Sequence, residues 1–183
     1  MVGKQPHDAV GNQSCLSADL RERCIPLREE GAASAHDYHD VPVDLGNPVL
    51  AEPLEDAGNY GLACQSYYAR EDGLTAPYFK RFSSASRNIY LRKSVLEKLV
   101  NVNKALAPHN AELLLWDGYR PIVLQKEVWN DFCEQARSVL NNPTEEECAR
   151  YAGYYCSDPR SFDRNDFRTC PVHTTGGAID LGD

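Results

Sequence analysis

His173 and Asp180, in the run Pro-Val-His-Thr-Thr-Gly-Gly-Ala-Ile-Asp-Leu at 171–181, are the residues best suited to chemistry in this chain. A neutral imidazole and a carboxylate both bind zinc at about 2.0 to 2.2 Å. Their spacing is odd, so on an unbroken strand they would point to opposite faces and could not share an ion. Gly176 and Gly177 lie between them and permit positive φ, a bulge or a tight turn, any of which would re-aim His173 toward the face Asp180 occupies. The plain alternative is a loop histidine and a strand-end aspartate with no common ligand. A mononuclear zinc usually takes three protein ligands and leaves a fourth position for water, so this pair leaves one ligand unassigned.

Arg120 is the next candidate. It follows a strand-like apolar run and stands before Pro121, at the start of a helical pattern. A strand end leading through a turn into a helix presents a side chain at a pocket edge, and a permanently charged, bidentate guanidinium suits a developing oxyanion. The plain alternative is an ion pair with a nearby carboxylate. Asp117 and Tyr119 read as shaping the turn or the pocket wall. Cys170 precedes His173 by three and could join a metal site, although packed or incidental thiols are the simpler reading. His36 and His39, in Ala-His-Asp-Tyr-His-Asp, would share one face of a helical turn, or else sit in a solvated loop.

The elements that must position these groups can be read from periodicity. Ser94 to Ala107 predicts a helix, with Ser94 and Glu97 as a capping box, Val95, Leu99, Val102 and Leu106 as the buried stripe, and Pro108 beyond its end. Glu112 to Trp116 predicts a strand broken by Asp117-Gly118. Pro121 opens a second helix with Ile122, Trp129, Phe132, Ala136 and Val139 on one face, ending at Asn141-Asn142-Pro143. Thr144 and Glu147 repeat the capping box and start a shorter helix to about Tyr151. Residues 153–168 read as loop, and Ala178 to Leu181 as the last strand. Val41 to Tyr68 suits short strands and loops. Residues 1–35 are polar and aperiodic, the pattern of a poorly ordered extension with a short helix around Ser17 to Cys24. Helices and strands without regular alternation indicate an α+β class.

The 183 residues fit one domain, and 42% apolar residues can fill a single core. Nineteen basic against twenty-seven acidic residues give a net charge of -8, with no basic cluster for a phosphate backbone. Nucleic acid and membrane are therefore excluded as expected partners. The longest apolar runs fall far short of the ~20 residues a membrane helix needs, and the first thirty residues lack a signal-like apolar centre, so the expected location is cytoplasmic. Seven cysteines, an odd number without a Cys-x-x-Cys, read as free thiols.

Two segments together carry a resemblance. His173 to Asp180 resembles the His-x-x-Gly-x-Ala-x-Asp motif of the D-alanyl-D-alanine dipeptidase family, the VanX-like zinc peptidases within the wider D,D-peptidase and Hedgehog-like fold. Leu-Leu-Trp-Asp-Gly-Tyr-Arg-Pro at 114–121 resembles that family's Trp-Asp-x-Tyr-Arg-Pro segment. With the intervening helices, the resemblance covers roughly residues 61–183. It implies that His173 and Asp180 bind Zn2+, that Arg120 steadies the tetrahedral intermediate, and that the substrate is a small D,D-dipeptide, D-alanyl-D-alanine. The implied setting is cell-wall precursor metabolism or glycopeptide resistance.

The chain departs from the family pattern in two places. Pro171 stands where the family usually carries a serine. The family's later Glu-x-x-His segment, source of the catalytic base and third ligand, has no counterpart, because no Glu stands three residues before any of the five histidines. The expectation is a zinc peptidase fold whose C-terminal sheet is missing. Residues 36–183 would then be the N-terminal portion of a single catalytic domain, inactive alone. Alternatives are a related muramoyl-peptide carboxypeptidase or endopeptidase, or a non-catalytic peptide-binding remnant.

Overall fold

The computed structural model describes residues 52–182. The expected extension 1–35, the pair His36 and His39, and Cys15 and Cys24 lie outside the described residues. Within them the chain is α+β. Strand β1 (Leu54–Asp56) pairs antiparallel with β3 (Tyr90–Arg92). A second sheet has the order β2-β4-β5, with β2 (Ala63–Cys64) parallel to β4 (Leu114–Asp117) and β5 (Asp180–Gly182) antiparallel to it. Helix α1 (Lys93–Leu106) follows β3, while α2 (Ile122–Val139) and α3 (Glu145–Gly153) follow β4.

Two apolar clusters hold these layers. Leu91, Leu96, Leu99 and Leu115 join β3, α1 and β4. Tyr68, Phe82, Leu124, Val128, Trp129, Phe132, Ala136, Cys148 and Ala152 join α2 and α3 to the 67–85 segment, and Tyr68, Tyr78, Phe82 and Phe132 meet edge-on or tilted, with centroids 5.2 to 5.8 Å apart. Such ring pairs add directional attraction to the area they bury.

The Thr144–Glu147 capping box forms as expected: the threonine side chain accepts from Glu147 N–H and the glutamate accepts from Thr144 N–H. The Ser94–Glu97 box does not. Ser94 lies inside α1, and its N–H and hydroxyl donate to Glu52 at 2.9 and 2.6 Å, so a distant carboxylate satisfies that helix end. The buried residues of α1 are Leu96 and Leu99, while Val102 is exposed. On α2, Trp129, Phe132 and Ala136 are buried as expected, but Val139 in the last turn is exposed. On α2 the last turn runs past the layer that could cover it; on α1 the buried face is that of Leu96 and Leu99, with Val95 and Val100 packed beside them, and Val102 falls off it although Leu106 beyond is half-buried. The final strand begins at Asp180, two residues later than expected.

Among the described residues no helix is long and apolar enough to cross a membrane. Cys64, Cys133, Cys148, Cys156 and Cys170 are free thiols.

Candidate metal centre

The β4–α2 corner and the 172–175 turn build the site together. Strand β4 ends against β3, where Tyr119 N–H donates to the Tyr90 carbonyl at 2.7 Å. Gly118 is required at this approach, since a Cβ there would stand 2.7 Å from the Tyr90 oxygen and 2.8 Å from Ile89 Cγ2. Pairing between β4 and β5 runs Leu115 to Leu181 and then Asp117 to Asp180, so Trp116 is the extra residue of a bulge. The irregularity that sets Asp180 beside Asp117 therefore lies in β4, and the glycine pair acts elsewhere.

His173 sits in a 3-10 turn, Val172–Thr175, closed by Gly176 at φ 72°. A Cβ at Gly176 would also collide with Leu54 Cδ2. The turn is clamped from both sides: Arg120 N–H donates to the His173 carbonyl at 3.0 Å, and Arg92 N–H donates to the Gly176 carbonyl at 3.0 Å. Gly176 has the positive φ expected of the glycine pair; Gly177 does not.

His173 Nδ1 lies 3.0 Å from the Gly118 carbonyl, a contact that puts a proton on Nδ1 and makes Nε2 the nitrogen available to a metal ion. Nε2 faces Asp180 Oδ1 at 3.5 Å. Burial and the Arg120 charge lower the His173 pKa, but the hydrogen bond it donates to Asp180 and the charges of Asp117 and Asp180 outweigh them, and the net shift is upward, so a metal ion would have to displace the Nε2 proton. Asp180 is held below the ordinary carboxylate range by His173.

Asp117, His173 and Asp180 each offer a ligand atom, all within 4.8 Å of one another, so the group can hold a metal ion. The three are not equivalent. Asp117 Oδ2 accepts from Arg120 Nε at 2.9 Å and Nη2 at 2.5 Å, and approaches His173 from the Nδ1 side at 3.3 Å. That oxygen is already committed to a cation. Nε2 of His173 and the half-exposed Asp180 carboxylate are the better ligand pair, a nitrogen and oxygen donor set that suits a transition-metal ion and is one short of the three protein ligands a mononuclear zinc usually takes. Cys170 is outside the group.

Arg120 is buried, and its guanidinium stacks on the Tyr68 ring at 4.6 Å from the centroid. Its Nη1 donates to Gln125 Oε1 at 2.9 Å, and Nη2 lies 3.6 Å from Asp180 Oδ2. Burial pushes the Asp117 carboxyl up against the pull of Arg120; burial also disfavours the charged guanidinium, but Asp117, and with it Tyr68 and Asp180, outweigh that and the net shift of Arg120 is upward.

Arg120, His173 and Asp180 line one cavity of about 640 Å³, with Trp116 and the rings of Tyr67, Tyr68, Tyr78 and Tyr155 around it. Tyr119, expected at the turn or the pocket wall, is half-buried and does not line it. Asp117 is the residue that sequence reasoning undervalued: its place in the motif marked a turn, and only the ion pair reveals its work. Gln125 had no signal at all beyond being polar on an apolar helix face. No family model matches this chain, and no curated protein is significantly similar to it.

Proposed function

We propose that this cavity is the substrate site of a zinc-dependent peptidase with a D,D-peptidase-like fold, acting on D-alanyl-D-alanine. The observation that carries the reading is the convergence of the two motifs. His173 lies 55 residues after Gly118 and yet rests on its carbonyl, with Arg120 and Asp180 on the same cavity.

His173 Nε2 and the Asp180 carboxylate would hold the ion. When bound, zinc supplies Lewis-acid polarisation of the peptide carbonyl and a more acidic water. Arg120 directs its remaining N–H groups to the carbonyl oxygen as negative charge develops there, in a buried setting where such donors act strongly. Asp117 keeps the guanidinium charged and oriented. The Gly118 carbonyl holds the imidazole in the tautomer that a ligand needs. No glutamate lines the cavity among the described residues, so the proton transfer from water to the leaving amine has no carrier assigned to it there.

The test is zinc content and release of D-alanine from D-alanyl-D-alanine by the purified chain. Stoichiometric zinc with turnover supports the whole reading. Zinc with binding of the dipeptide but no turnover supports the half-site and refutes catalysis by this chain alone. Absence of zinc uptake refutes the metal site. Cleavage of longer stem peptides in preference to the dipeptide would move the substrate to the muramoyl-peptide class.

A further inference from the structure

Gln125 is polar and only 1% exposed, in the first turn of α2 between Leu124 and Val128. A buried amide is costly unless both its ends are paired. Both are: Oε1 accepts from Arg120 Nη1 at 2.9 Å, and Nε2 donates to the Ser157 carbonyl at 2.7 Å. Arg120 and Ser157 each line the cavity, whereas Gln125 stands behind them.

The arrangement of acceptors around Arg120 shows what this link does. Asp117 receives both Nε and Nη2 on the single oxygen Oδ2. Both bonds lie on the Nε–Nη2 edge, so they leave Nη1, on the far side of Cζ, without a tether against rotation about the Nε–Cζ bond. The Tyr68 ring covers a face of the plane but accepts no directed bond that would fix Nη1. Gln125 Oε1 is the second fixed point, at the opposite nitrogen. Of the five guanidinium N–H groups, Asp117 and Gln125 engage three, which leaves one on each Nη for the cavity.

We propose that Gln125 is a positioning residue: by giving Arg120 a second anchor and tying it to the Ser157 wall, it sets which guanidinium N–H groups face the cavity. The catalytic consequence rests on the peptidase reading, but the geometric claim does not. A residue that merely sealed the interior would change stability and leave the guanidinium as it was.

The experiment compares the wild-type chain with Gln125→Met, Gln125→Asn and Gln125→Glu, each labelled with 15N,13C-arginine. Rotation of the Arg120 guanidinium is read by NMR, with Arg120→Lys used to assign its signals. Gln125→Met keeps the length and loses both polar ends, and Gln125→Asn keeps the amide but shortens its reach by one methylene. Both are expected to speed the rotation about ten-fold or more. Gln125→Glu keeps an acceptor for Arg120 and loses the donor to the Ser157 carbonyl, so slow rotation in it would show that the anchor on Arg120 suffices without the tie to the wall. Unchanged Arg120 signals in a folded Met or Asn variant overturn the proposal, and free rotation in the Glu variant would show that the Ser157 tie is needed as well as the anchor.

The second readout is D-alanyl-D-alanine turnover. In Gln125→Met, kcat should fall about 10- to 100-fold with KM within about two-fold, the pattern of a misplaced transition-state donor. Unchanged kcat alongside freed rotation refutes the catalytic consequence. A wild-type chain that binds zinc without turnover refutes catalysis by this chain alone, one without zinc uptake refutes the metal site, and in either case the NMR comparison still decides the role of Gln125.

Discussion

Asp117→Ala should be among the most damaging single changes in this site, and its magnitude can be worked from the contacts. The Asp117 and Arg120 side chains are 9% and 7% exposed, so the carboxylate is the main counter-charge of a buried cation. Removing one partner of a buried pair costs about 3 to 5 kcal/mol, because the other is left uncompensated. Counting bonds leads to a similar figure: two charge-assisted hydrogen bonds at about 1.5 to 3 kcal/mol each. Arg120 would still keep Gln125, the Tyr68 face, and Asp180 at 3.6 Å on the solvent side. Those residual partners place the expected loss near the lower end, at about 3 kcal/mol. Urea denaturation monitored by tryptophan fluorescence measures it, and Tm should drop by roughly 6 to 12 °C. Asp117→Asn keeps an acceptor and loses only the charge, so about half the effect is expected. Combining Asp117→Leu with Arg120→Met removes both charges and should recover most of the stability. A loss below about 1 kcal/mol for Asp117→Ala would refute the view that this pair is buried and mutually dependent.

Four further outcomes are expected. Asp180→Ala should abolish retention of zinc after gel filtration, since His173 would remain without its carboxylate partner; unchanged metal content would sink the ligand assignment. Gly176→Ala should lower stability by about 1 to 2 kcal/mol, chiefly from positive φ, because the Leu54 methyl it meets ends an exposed side chain that can swing aside, and a shift in urea midpoint worth less than about 0.5 kcal/mol would contradict it. Thr144→Ala should cost about 1 kcal/mol through loss of the capping box, read from thermal melts, with no effect on zinc content. Burial raises the pKa of Glu127, but hydrogen bonds from Ser83 and Ser84 outweigh that and hold it below its ordinary value. Its contribution is therefore complete above the unfolded pKa of about 4.3 and is lost as pH falls through the folded value. The stability gap between wild type and Glu127→Gln should narrow between pH 7 and pH 3, and a constant gap would show that the ionised carboxylate does not matter.

Local signals in the chain were sufficient where both partners of an interaction are close in sequence. The Thr144 box needs only a residue three positions on, and it forms as read. The Leu114–Asp117 strand and the 122–139 helix are likewise set by apolar runs and by Asp117-Gly118 and Pro121 at their borders. The same local logic misassigned Ser94, because its real partner, Glu52, lies 42 residues away and no spacing rule can see it. Val139 follows the helical period but lies where the neighbouring layer has ended, and Val102 falls off the face that Leu96, Leu99 and Val100 turn to the core. Periodicity reports a face, and tertiary packing decides how far along that face is covered.

The site divides along the same line. Residue chemistry alone marked His173, Asp180 and Arg120, because an imidazole, a carboxylate and a guanidinium carry their reactivity with them, and the glycine at 176 announced a turn. Only the folded chain decided that they share a cavity, that the β4 bulge at Trp116 is what brings Asp180 beside Asp117, and that Asp117 and Gln125 hold Arg120 from two sides. Strand register and buried polar pairing depend on contacts between segments far apart in the chain, which side-chain identity and spacing do not encode one residue at a time.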